Sequence, residues 1–125
     1  MDNIKFSYLY RDSGNYKKWA EVIFSNPDGL PLEAVTKALE DAFLPDGLFI
    51  AHQIRIPEAF LFDQGDASSD DHCFHELDSV ESTVEAPTDG HSRSISRFLA
   101  EVNKEAKRGW LTFDPHDRLP QKISD

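Results

Sequence analysis

"IKFSYLY", residues 4–10, alternates without a break: Ile4, Phe6, Tyr8 and Tyr10 fall on one side, Lys5, Ser7 and Leu9 on the other. A period of two sends successive side chains to opposite faces, so the stretch predicts a strand with one buried, aromatic face. "RDSGN" (11–15) follows as turn chemistry, since Gly14 and Asn15 both tolerate positive φ. "YKKWAEVIFS" (16–25) then resumes the extended pattern, with Ala20, Val22 and Phe24 opposite Trp19, Glu21 and Ile23. The two strands predict a hairpin, and Trp19 predicts that the second is partly covered on both sides.

Beyond the hairpin, "NPDGLP" (26–31) breaks the chain, and Pro31 suits the first turn of a helix. Leu32, Val35, Leu39, Ala42 and Phe43 follow at helical spacing, which predicts an amphipathic helix over 31–43 that "PDG" (45–47) ends. "LFIAHQIRI" (48–56) reads as a third strand, with Leu48, Ile50, Ile54 and Ile56 on one face and His52 in the same row as a core histidine. "EAFLF" (58–62) is a short strand or an irregular apolar segment, and 63–72 a polar, acidic loop. "HELDSVESTVE" (75–85) predicts a further strand. A second amphipathic helix starts near Ser94 and carries Ile95, Phe98, Leu99, Val102 and Ala106 on one stripe. Ser92 or Ser94 suits its cap, Lys104, Lys107 and Arg108 suit its C-terminal end, and Gly109 its C′ position. The order β-β-α-β-(β)-β-α predicts an α+β single domain: a mainly antiparallel sheet of about four strands with two helices packed on one face. The domain spans 1–109, and 110–125 form an aromatic and basic C-terminal tail.

The 125 residues suffice for one core, and 39% are hydrophobic. No apolar run approaches the roughly 18 residues of a membrane span, the N-terminal residues lack the build of a signal peptide, and one cysteine makes no internal disulfide. A cytoplasmic protein is the expectation. Charge is the strongest departure from the ordinary: 23 acidic against 13 basic residues, a formal net charge of −10. From Asp63 to Asp89 there are nine carboxylates and no Lys or Arg. Such a block repels phosphate backbones, so direct nucleic-acid binding is not expected there.

Chemistry concentrates in "SSDDHCFHELDSVES" (68–82), where Asp71, His72, His75 and Glu76 are metal-ligand types beside Cys73. A closed zinc site draws four ligands from separated segments, and no second Cys or His pair stands elsewhere. On a strand, Cys73 and His75 share a face and His72 points away. Cys73 lies among carboxylates that hold a proton on its thiol, and about 7 Å separates alternate strand positions, too far for direct proton transfer to His75. Glu76 or Asp78 near His75 is expected to raise its pKa. No phosphate-binding glycine loop, nucleophile elbow or HExxH segment is present.

Three segments, "KFSYLYRDSGNYKKWAEVIFSNP" (5–27), "LFIAHQIRIPEAF" (48–60) and "DDHCFHELDSVE" (70–81), carry a resemblance. The chain resembles a group of small bacterial proteins of uncharacterised function over roughly residues 4–100. The resemblance implies a compact bacterial domain and transfers no catalytic residue. Its motif positions are Tyr8, Arg11, Asp12, Asn15, Tyr16, His72, His75 and Glu76, of which Arg11, Asp12 and Asn15 also read simply as turn residues.

The expectation that follows is a protein-interaction module without a required cofactor, contacting a protein partner through the acidic 63–89 segment, the tail or both, with a basic partner suited to the acidic segment. Asp70, Asp71, Glu76, Asp78, Glu81, Arg11, Tyr16 and Trp110 are its candidate contacts. A metal-assisted hydrolase or nuclease, with a divalent metal on His72, His75, Asp71 and Glu76, is the alternative. A third reading spaces carboxylates like phosphates and has the acidic segment occupy a basic nucleic-acid-binding groove.

Overall fold

The computed structural model describes residues 2–12, 14–60 and 72–114. Its elements run β1 (Asn3–Arg11), β2 (Lys17–Phe24), α1 (Leu32–Ala42), β3 (Leu48–Phe49), β4 (His75–Thr83) and α2 (Ile95–Arg108), with 3-10 turns at Pro45–Gly47 and Ala51–Ile54. The strands form one antiparallel sheet in the order β2-β1-β4-β3, so β1 is paired along both sides. The α+β architecture expected from the sequence is the one found.

Alternation in β1 sets the core. Ile4, Phe6, Tyr8 and Tyr10 are all 2% exposed or less. Phe6 lies 5.3–6.3 Å, centroid to centroid, from the rings of Tyr8, Phe43, Phe49 and Phe98. Val35 and Leu39 of α1 and Ile95, Phe98 and Val102 of α2 close over the same face. Pro31 stands one position earlier than predicted, as the N-cap of α1. Ser94 caps α2, its hydroxyl accepting from the Arg97 N–H, and Gly109 ends that helix at φ 107°. The hairpin turn is built as read: the Asn15 N–H donates to the Asp12 carbonyl, the Tyr16 N–H donates to the Asp12 carboxylate, and Asn15 takes φ 66°. Among the described residues no helix is long and apolar enough to cross a membrane.

The third strand is the main correction. Only Leu48 and Phe49 pair with β4, at Glu76 and His75. In antiparallel register the next residues of 48–56 would face 72–74, which lie before the start of β4. Without a ladder, the backbone turns through a 3-10 helix and a left-handed Arg55 (φ 59°). Ile50, Ile54 and Ile56 are buried all the same, the first two because a four-residue spacing serves a helical turn as well as a strand row. His52, expected in the core, is exposed. Residues 58–60 of the predicted "EAFLF" segment are irregular, its residues 61 and 62 lie outside the described residues, and so does the acidic loop 63–72 except for His72.

The backbone freed at Ile54 and Arg55 is secured by a buried charge. Arg93 is among the largest fully buried side chains, and each of its N–H donors has an acceptor. It donates to the carbonyls of Ile54 (2.8 Å) and Arg55 (3.0 Å), to Glu101 (2.8 Å), and in a fork to both oxygens of Asp89 (2.9 Å each). Its guanidinium carbon lies 5.1 Å from the Phe98 centroid and 5.8 Å from that of Phe24. Burial works against the charge, but the hydrogen bonds and charges of Asp89 and Glu101 outweigh it and hold Arg93 above its ordinary pKa. Removing one partner of such a set strands the others in a dry site. Arg93→Ala is therefore expected to lower unfolding free energy by about 3–5 kcal/mol. Arg93→Lys keeps the charge, loses the fork and falls between wild type and Arg93→Ala. Urea midpoints of the three proteins check the order.

Candidate functional site

His75 opens β4 opposite Phe49 and turns inward, 1% exposed. The rings of Phe60, Tyr10, Tyr8 and Phe49 surround it, with centroids 4.9–6.2 Å away. Its Nε2 accepts the Ala59 N–H at 2.8 Å, so the ring proton sits on Nδ1. That Nδ1 is, among the described residues, the one buried side-chain polar atom without a hydrogen-bond partner. Burial, with a smaller contribution from the charge of His72, pushes the His75 pKa down to about 4. The expected increase from Glu76 or Asp78 is overturned because strand alternation turns Glu76 to the opposite face. There Glu76 takes a two-pronged bond from Arg11, at 3.0 and 3.1 Å.

His72 is held as firmly. Its Nδ1 accepts the Phe74 N–H at 3.0 Å, which leaves Nε2 protonated and donating to the Arg11 carbonyl at 2.8 Å. Its own N–H donates to the Tyr10 hydroxyl at 3.2 Å. Both imidazoles therefore spend their lone pair on a main-chain N–H, and coordination of a cation by either would break that bond. Cys73 is buried and unpaired. Asp70 and Asp71 lie outside the described residues. Among the described residues no three His, Cys, Asp or Glu side chains gather as a metal site would require. The residues nominated for metal are thus parted: His75 beneath the sheet, Glu76 above it, His72 clamped to the end of β1.

The acidic block is also divided by the fold. Glu76 is paired with Arg11, Glu85 with Lys5 at 2.7 Å, and Asp89 with buried Arg93. Asp78 and Glu81 remain exposed. Asp78 sits where the β1–β4 register shifts and has no opposite residue, and Glu81 faces Lys5. Trp110, for which the sequence allowed either docking on the domain or meeting a partner, docks: its indole N–H donates to the Ala42 carbonyl at 3.1 Å and its ring meets Phe43 edge-on at 5.8 Å. The Leu111 N–H donates to Gln53 at 2.8 Å, so the fold continues past the boundary expected at Gly109.

What the sequence reading missed is on the other side of β1. Its outer row, Lys5, Ser7 and Leu9, is flanked by Ile23, Glu21 and Trp19 of β2 and by Glu81, Ser79 and Glu76 of β4. Trp19 is 57% exposed and Tyr16, at the hairpin end, 72%. β2 is also a sheet edge. The Asp12 N–H donates to the Tyr16 carbonyl, so the even-numbered residues of β2 turn their amides toward β1. The odd-numbered residues then turn theirs outward, as Ile23 confirms by exchanging bonds with the hydroxyl and N–H of Thr88 at 2.9 Å each. Lys17, Trp19 and Glu21 share that parity and present outward N–H and C=O groups along the edge. The period of two sets Trp19 on the face opposite Ala20, Val22 and Phe24, and its size suggested cover on both sides; the structure leaves that face open at Trp19 while Leu9 and Ile23 on the same face are buried.

No match is found among protein-family models, curated protein sequences or solved structures. The resemblance noted above rests on its motifs alone.

His75 generates a pH prediction. Its folded pKa lies near 4 and its unfolded value near 6.5, so the unfolded chain binds the proton first. Its contribution is complete above about pH 6.5, declines as pH falls, and is exhausted near pH 4, a loss of about 3 kcal/mol. His75→Gln offers an acceptor to Ala59 without titrating, and urea unfolding from pH 7 to 4 should show a shallower decline in that variant.

Proposed function

We propose that this protein is a small cytoplasmic protein-interaction module that binds an extended segment of a protein partner along β2. The observation that carries the reading is the β2 edge itself: outward amides at Lys17, Trp19 and Glu21 beside an indole more than half exposed. An added strand takes its affinity from main-chain hydrogen bonds and its selectivity from alternate side chains. Trp19 supplies a large, rigid contact at low entropic cost. Arg11, Glu76 and Glu81, named from the sequence, stand on the same outer face, which extends the contact from the edge inward, and Tyr16 is exposed at the hairpin end. The engagement of both central histidines with main-chain groups favours binding over metal-assisted hydrolysis. A single cysteine, buried and unpaired, fits a reducing compartment.

Site-specific photocross-linking in the native host tests the reading. A photoreactive residue at Lys17 should give discrete protein adducts, while one at Glu40, exposed on α1, should not. Absence of adducts at Lys17, or the same adducts from both positions, would overturn it.

A further inference from the structure

We infer that the strand added to β2 is β2 of a second copy of this chain, paired antiparallel about a two-fold axis at Trp19. The inference rests on the strand-addition reading and names its partner. The edge is self-complementary in one register. With Trp19 opposite Trp19 of the second copy, Lys17 stands opposite Glu21 on both sides of the axis, and the smaller Ala20 faces Lys18. All three outward residues then lie in hydrogen-bonded pairs. Each such pair exchanges two bonds, about six in all.

Neighbouring registers are poorer. Centring on Lys18 or Ala20 keeps Trp19 paired but leaves one outward residue outside the ladder or drives Lys17 against Ile23, whose N–H and C=O Thr88 already holds. Centring on Lys17 or Glu21 sets like charges face to face, which destabilises a cross-strand pair. Thr88 also limits the free edge to the stretch the Trp19-centred register uses. Side chains 17, 19 and 21 share the outer face, so the two indoles meet across the axis with a Lys–Glu pair on either side. The product is a continuous sheet in which both exposed β2 edges are consumed, a closed contact that recruits no third copy.

Edge lysines commonly guard a strand against such pairing. Here the guard is undone by its own spacing: Lys17 is matched by Glu21 four residues on, at the position an antiparallel copy places against it. Glu21 has its nearest internal cation, Lys5, only at 4.0 Å and with half of its own side chain exposed, so it is available for a second partner.

Sedimentation velocity of the intact chain, at physiological salt to screen the net charge of −10, tests the inference. Wild type should convert from monomer to dimer as concentration rises through the micromolar range. Lys17→Glu and Glu21→Lys should each raise the dissociation constant about tenfold or more, since each creates two like-charge pairs. An equimolar mixture of the two variants should recover dimer, because every pair across the mixed axis is again opposite in charge. That recovery also shows both variants folded. In wild type, amide exchange at Trp19 should slow with concentration while exchange at Lys18 and Ala20 does not change. A wild type that stays monomeric, reversals without effect, or a mixture that fails to dimerise would overturn the inference. Monomeric protein that still gives Lys17 adducts in the host would remove self-pairing and keep strand addition; loss of both removes both.

Discussion

The two-sided pairing of β1 is the constraint on which the rest of the molecule depends. A strand paired along both edges has every main-chain group committed to the sheet, so the one freedom left is which row faces inward. Shifting that choice by one residue would expose Ile4, Phe6, Tyr8 and Tyr10 and bury Lys5 and Arg11 instead. The aromatic row therefore fixes register as well as burial. Phe6, in contact with rings from β1, β3, α2 and the end of α1, is the point where that choice meets the helices.

A second constraint follows from the shortness of β3. Because β4 begins at His75, the chain beyond Phe49 has no strand to pair with, and its polar main chain must be satisfied in another way. Part of the solution is local, through the 3-10 turn. The rest comes from Arg93, which carries donors from the start of α2 to the carbonyls of Ile54 and Arg55. Asp89 and Glu101 neutralise the cation that does this, while Phe24 and Phe98 flank it. A charge that would be expensive alone becomes the link among the 50–56 turn, α2 and the edge of the sheet.

The legible and illegible parts of this fold divide by the range of the interaction that decides them. The hairpin, both helices and the Ser94 and Gly109 caps were readable because turn chemistry, periodicity and capping act within a few residues. The break after Phe49 was not, since the Ile50–Ile54 spacing suits a strand row and a helical turn alike and the deciding fact is the length of a strand some 25 residues away. The separation of the described members of the candidate metal patch was illegible for the same reason. The residue types of the patch are present, but Ala59 and Phe74 main-chain donors claim the imidazole lone pairs, and alternation sends Glu76 away from His75. Arg93 was invisible as a core residue because nothing local distinguishes a buried arginine from a solvated one. Trp19 suggested a covered strand, and its exposure became legible only once β2 was known to be an edge.

An acidic protein with a bare aromatic edge faces opposing demands. Net charge of −10 keeps copies apart at long range, yet falls off within about a Debye length, roughly 8 Å at physiological salt. Inside that distance the local pattern decides, and Lys17, Lys18 and Glu21 present a mainly cationic strip on an otherwise anionic molecule. The global field therefore opposes random contact, while the strip offers one orientation in which it is reversed. This divides the work between rate and specificity: distant charges suppress the many wrong approaches, and the spacing of two side chains about one indole selects a register. An edge with lysines alone would be protected and idle. Placing Glu21 four residues from Lys17 converts protection into discrimination, because a partner strand must carry an acid and a base at the same separation to lie along β2 without a clash of charge.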